Sequence, residues 1–192
     1  MGLTFIKSAT ASGSPAVISF VDGTSDVVFD NTYNEYKFYY VNMHPQNSGD
    51  NFEFQVNATD DAGGDYDTSL ITNTYFNPYH NEAGTDSNLG YSDGNDLAQS
   101  ANHCRLTHNI DADTRDGCSG VLTIYEPSSS TYVKHFIART NSTHHSSEYT
   151  MDSFTAGYIN DTTPIDEIRF RMSSGNIDAG TIYMYGVSFP LL

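Results

Sequence analysis

The chain has 192 residues, with 24 acidic side chains against 8 basic ones and a formal charge of −16. So acidic a surface repels phosphate backbones and anionic lipid, which disfavours nucleic acid and membrane surfaces as partners. No run approaches the ~20 consecutive apolar residues of a membrane span, so membrane insertion is not expected. Charged residues make up only 17% of the chain, so Ser, Thr, Asn, Gly and Tyr must supply much of the polar surface.

The length suits a single domain over residues 1–192, since no stretch reads as a linker. Aromatic content is all Tyr (14) and Phe (11), with no Trp. Together with many β-branched and small polar residues, this composition favours strands and turns over helices. The start, Met1 to Lys7, lacks the basic and apolar regions of a signal peptide, so Sec-type secretion is not expected. The Asn-x-Ser/Thr matches at Asn57, Asn141 and Asn160 carry no weight without one. Cys104 and Cys118 are read either as a local bridge or as two idle thiols.

In chain order, Ala16, Ile18 and Phe20 line one side of a first strand, with a turn at Asp22-Gly23. Tyr36, Phe38 and Tyr40 alternate with Lys37, Tyr39 and Val41. Phe52, Phe54 and Val56 alternate with Glu53 and Gln55, the pattern of a half-buried strand whose glutamate faces water. Val121 to Tyr125 and Tyr132 to Ile137 continue the alternation. Tyr149 and Met151, then Phe154, Ala156 and Tyr158, are expected to form two short strands with these residues on their apolar faces. Ile168, Phe170 and Met172 alternate with two arginines, and Ile182, Met184 and Gly186 close the series. Turns fall at 47–50, 61–64, 93–95 and 174–176. Many short strands with regular turns, and no helical stripe over three turns, predict an all-β antiparallel sandwich.

The middle differs. From about Pro78 to Gly117 apolar residues are sparse among Asn, Asp, His, Gly and Ser. This is read as a long irregular loop region, with a short helical turn around Leu97-Ala98-Gln99, and as the best candidate contact surface.

Within this region Asp111, Asp113 and Asp116 are superficially similar to a calcium loop. The spacing departs from an EF-hand, and Leu122 stands where its last ligand belongs. They remain the candidate metal ligands, for Ca²⁺; otherwise no cofactor is expected. Asp60, Asp61, Asp65 and Asp67 form a second acidic cluster, and Asp93, Asn95 and Asp96 a third. His103, Cys104, His108 and Cys118 lack the paired spacing of a zinc module. No nucleophile elbow, metalloprotease helix, phosphate loop or dinucleotide fingerprint occurs, so no residue is assigned a catalytic role and no enzymatic activity is expected. Tyr75, Phe76 and Tyr79, beside the loop, are candidates for contact with a partner or a glycan, core packing being the alternative.

Two stretches carry a resemblance. One is Asn34 to His44, with Tyr36, Phe38, Tyr39 and Tyr40. The other is Ile168-Arg169-Phe170 followed by Ser173 to Val187, which reads Gly175-Asn176-Ile177, Gly180-Thr181-Ile182 and Tyr185-Gly186-Val187. With Ser8 to Ser14 ahead of the strand from Pro15 to Phe20, the chain resembles small structural proteins of tailed bacteriophages, marine and cyanobacterial ones above all. The resemblance covers both ends of the chain and leaves the middle unmatched. It implies a jelly-roll-like sandwich located in the virion, as a tail fibre, spike, or capsid decoration or head-fibre component. Other virion proteins would be its partners, and it would form a homo-oligomer, a trimer by preference. It implies no catalytic residues. The alternative is a carbohydrate- or host-receptor-binding sandwich that grips a surface glycan through Tyr75, Tyr79 and the Asp/Asn loops, with Ca²⁺.

Overall fold

The computed structural model describes residues 2–59, 69–146 and 148–188. The acidic cluster at Asp60, Asp61, Asp65 and Asp67, and the turn over 61–64, lie outside the described residues. Among those described, the strands in chain order are β1 (Gly2–Thr10), β2 (Val17–Val21), β3 (Glu35–Pro45), β4 (Phe52–Ala58), β5 (Ile71–Asn81) and β6 (Ser87–Tyr91). They continue as β7 (Cys104–Arg105), β8 (Cys118–Tyr125), β9 (Lys134–His144), β10 (Tyr149–Ile159), β11 (Ile165–Met172) and β12 (Ile177–Ser188). Among the described residues a single 3-10 turn spans Asp93–Asn95.

The strands form two sheets, one of eight in the order β1-β12-β3-β8-β9-β10-β5-β6 and one of four in the order β2-β11-β4-β7. Every pairing between these strands is antiparallel. The two sheets share one apolar core, the expected β-sandwich. Its centre is aromatic and joins the layers. Phe20 of β2 meets Phe38 of β3 edge-on at 5.4 Å, Tyr40 of β3 meets Phe52 of β4 at 5.2 Å, and Phe54 of β4 meets Phe136 of β9 at 5.1 Å. Edge-to-face geometry of this kind adds to the gain from burying large rings.

The alternation in β2, β3, β11 and β12 is borne out. Ile18 and Phe20, Tyr36, Phe38 and Tyr40, Ile168, Phe170 and Met172, and Ile182 and Met184 all face inward and are buried, whereas Ala16, expected beside Ile18, is exposed just ahead of β2. Three expectations need correction. Strand β4 is buried on both faces, Glu53 and Gln55 included, because the chain returns over its outer side. The region from Tyr149 to Ile159 is one strand rather than two. Its inner face is Met151, Ser153, Thr155 and Ile159, whereas Phe154, Ala156 and Tyr158 point outward. That inner face is polar because its hydroxyls are paired: Ser153 with the Tyr75 hydroxyl at 2.6 Å, and Thr155 with the Asn73 amide at 3.1 Å.

The third correction concerns Pro78 to Gly117. Its beginning completes β5 and forms a hairpin with β6, and the helical turn sits at 93–95 rather than at 97–99. The rest is a seam between the sheets, not a free loop. Ser100 bridges to Ile71 of β5, Leu106 N–H donates to the Phe52 carbonyl, and Ile110 bridges both Asp50 and His144. Leu106, Thr107 and Ile110 are completely buried. With few apolar residues, the segment still places Leu106 and Ile110 in the core.

Candidate functional site

The residues expected to make contacts separate in the structure. Tyr75 lies in the core with its hydroxyl held by Ser153, and burial pushes that phenol up to about 12. Tyr79 is half-buried, edge-on to Tyr149 at 5.2 Å. Phe76 alone of the three is exposed on the outer face of the large sheet, where it stacks flat on Phe154 at 4.8 Å. The Arg139 guanidinium lies 4.9 Å over the other ring of this pair, Phe154, and is held there by Asp152. Register extends this pair into a row: Tyr183 of β12 opposes Tyr39 of β3, then Val121 of β8, Arg139 of β9, Phe154 of β10 and Phe76 of β5. Exposed Phe5 packs on Tyr185 beside one end of the row, and exposed Ile137 lies next to its middle.

The candidate calcium residues do not converge. Asp111 Oδ1 accepts from the Ser48 hydroxyl at 2.8 Å and from the Asp113 N–H, while Asp113 Oδ1 accepts from the Arg115 N–H and pairs with its guanidinium at 3.6 Å. These are turn-closing contacts, and Asp116 N–H closes the same turn on the Asp113 carbonyl. Among the described residues no group of three His, Cys, Asp or Glu side chains is arranged to hold a metal ion. Cys104 and Cys118 are separate free thiols, both buried. Burial pushes Cys104 up to about 12 and Cys118 higher still, so neither is a thiolate near neutral pH.

A second feature lies on the outer face of the small sheet, where register sets Arg105 of β7, Glu53 of β4 and Arg171 of β11 side by side. Arg171 Nη2 donates to Glu53 Oε2 at 3.3 Å, and Arg105 Nε lies 3.7 Å from Oε1. Burial raises the Glu53 carboxyl above its ordinary value, and the two guanidiniums offset this only in part. Three of the five arginines of this acidic chain, Arg105, Arg169 and Arg171, sit on this one face. Arg169 is forked onto Glu167 on its own strand.

The segment 94–103 roofs the face, since Gln55 Nε2 donates to the carbonyls of Ala101 and Asn102, both at 3.0 Å. Asn95 accepts from Arg105 and Asp96 from the Tyr91 hydroxyl. Beneath the roof is a polar cavity of about 280 Å³ bordered by Glu53, Asp96, Asn102, His103, Arg105 and Arg171. Burial, with the nearby guanidiniums of Arg171 and Arg169, lowers the His103 imidazole to about 4, so it is neutral here at pH 7.

Sequence reasoning singles out Asn95 and Asp96 as acidic-turn residues, weighs His103 only as a zinc ligand, reads Glu53 as facing water, and gives Arg105 and Arg171 no role. The available signal is the parity of β4 and β11, which puts Glu53 and Arg171 outward. Their meeting depends on a register that no local pattern states.

These features define a class: an antiparallel β-sandwich with one aromatic outer face and one roofed polar cavity. No family model matches the chain, and it matches no curated protein and no solved structure.

Proposed function

We propose that the chain is a non-enzymatic structural protein of a tailed-bacteriophage virion, attached to the tail or the capsid and acting through surface contact. The observation that carries this reading is the outer face of the large sheet. A cross-strand row spans six neighbouring strands there, aromatic at Tyr183, Tyr39, Phe154 and Phe76 and interrupted by Val121 and Arg139, with Phe5, Phe76 and Ile137 exposed along it. Exposed aromatic and aliphatic residues gathered on one face, with an arginine among them, suit a protein contact. A neighbouring virion subunit, or a second copy in a trimer, is the occupant this reading assigns.

The glycines of the resembling ending support it from another side. Gly180 has φ +117°, and a Cβ there would lie 2.6 Å from Met43 Sδ and 2.7 Å from the Asn42 carbonyl. A Cβ on Gly186 would lie 2.3 Å from the Tyr33 ring. The motif therefore serves the packing of β12 against its neighbours, a structural role. The alternative glycan grip through Tyr75 is weakened, because that ring is enclosed.

Quantitative mass spectrometry of gradient-purified particles tests the reading. The chain is expected at a fixed stoichiometry per particle, and a Phe76→Asp variant is expected to be folded but depleted from particles. Recovery of the chain only in the soluble lysate fraction would refute the assignment.

A further inference from the structure

Among the described residues the two sheets end in four edge strands, β1 and β6 on the large sheet and β2 and β7 on the small one. An edge presents a row of unpaired N–H and C=O groups, which proteins blunt by brevity, charge or cover. β7 has two residues and lies beside the roof over the small sheet. β6 has five residues, set between Asp86 and Asp93. β2 also has five and runs directly into Asp22. β1 is different: it has nine residues, no proline, and Lys7 as its one charged side chain. That ammonium is turned away to the Ser25 carbonyl at 3.0 Å. Gly2 to Phe5 are all exposed, with Leu3 at 52% and Phe5 at 54%.

The register shows which backbone groups face the open side. The Val187 carbonyl, opposite Leu3, accepts from Asn34 N–H on the β3 side at 3.0 Å. Antiparallel pairing alternates every two residues, so Leu3 and Phe5 aim their N–H and C=O groups away from β12. A bulge between Phe5 and Lys7 then sets this stretch apart from the rest of β1.

The open stretch is self-complementary. When Thr4 of one copy faces Thr4 of another in antiparallel register, Leu3 stands opposite Phe5 twice. Each Leu3 and each Phe5 then gives one hydrogen bond and takes one, and the opposed side chains cover each other. Charge selects the same occupant. A chain of −16 repels its own copies over most of its surface, yet no Asp or Glu occurs between Gly2 and Val21.

We propose that two copies of the chain pair through Gly2 to Phe5 of β1, antiparallel about Thr4, and join their large sheets into one. The pairing uses backbone groups at the sheet margin, whereas the particle contact uses side chains of the outer face. Phe5 alone belongs to both. The pairing is a property of the purified chain, whatever its place in a particle.

Sedimentation velocity of the full chain tests this, in about 0.15 M sodium chloride, where charges are screened beyond about 8 Å. So small a junction is weak, and a monomer–dimer equilibrium with Kd on the order of 100 μM is expected. Leu3→Pro removes an N–H that β12 does not use. Leu3→Glu and Phe5→Lys each replace one side of the opposed pair. Each change occurs twice across the junction and is expected to raise Kd roughly tenfold or more. Mixing the Leu3→Glu and Phe5→Lys chains is expected to restore a dimer, because the new acid then faces the new base. Phe76→Asp is expected to leave the equilibrium unchanged. Amide spectra report the folding of each variant, and the mixing experiment stands even where Leu3→Pro disturbs β1. A chain monomeric up to about 1 mM, ten times the expected Kd, would overturn the proposal. So would a dimer indifferent to the β1 substitutions, or a mixture that stays monomeric. A dimer dissolved by Phe76→Asp but not by Leu3→Pro would place the contact on the outer face and overturn the edge pairing.

Discussion

At the scale of single residues, the cavity of the small sheet ties stability to pH through His103. Its imidazole is held down to about 4, from an ordinary value near 6.5, chiefly by burial. The unfolded chain takes up that proton below about pH 6.5, whereas the folded chain resists it until about pH 4. Stability from this group is therefore complete at neutral pH and is lost as pH falls through that window. His108 and His144 are lowered for the same reason and add to the slope. His103→Gln is expected to flatten, though not abolish, the decline of melting temperature between pH 6.5 and 4, as followed by calorimetry. An unchanged slope would mean that the imidazole is not held neutral. None of this is legible beforehand: His103 stands beside Cys104 in a polar stretch, and its behaviour comes first from burial on the face of the small sheet and then from the Arg171 and Arg169 guanidiniums that the register brings near.

Strands differ in how openly their sequence shows the side they bury. In β3 and β11 the inward positions are all large and apolar, so alternation alone identifies them. In β10 hydrophobicity points the wrong way. Its outward residues Phe154, Ala156 and Tyr158 are more apolar than inward Ser153 and Thr155, because those hydroxyls are matched by Tyr75 and Asn73 from β5. Buried polar pairs of this kind are invisible until both strands are in register. Strand β12 shows the opposite case, where a local pattern has a direct steric reading. Gly186 lies against the Tyr33 ring with no room for a methyl group. Gly186→Ala is expected to cost about 1–3 kcal/mol, as overpacking does. Thermal denaturation should show this as a fall of roughly 2–4 °C for each kcal/mol. An unchanged melting temperature would show that Tyr33 moves freely aside.

Over the whole molecule, a charge of −16 on 192 residues sets a repulsion that opposes compaction. The charge pairs around the buried Glu53 carboxylate are screened by salt less than the many exposed acids are. Raising ionic strength from about 0.01 to about 1 M shortens the screening length from about 30 to about 3 Å. The melting temperature is expected to rise over that range, and scanning calorimetry in sodium chloride would show it. A fall would mean that surface ion pairs such as Arg139 with Asp152 outweigh the general repulsion. The two-sheet architecture is legible from period-two patterning because it depends on summed alternation over many strands. The closing of its side by residues 97–111 is not, since Leu106 and Ile110 are isolated apolar residues in a polar stretch.

That seam has a practical corollary for anyone wishing to attach cargo to this scaffold. Foreign peptide spliced between Leu97 and Asp111 would pry apart the layers that Leu106 and Ile110 fasten together. The tip of the β5–β6 hairpin, Glu82 to Asp86, is exposed and projects from the margin of the large sheet. A graft placed there would project from the rim of the sandwich while its interior stays sealed.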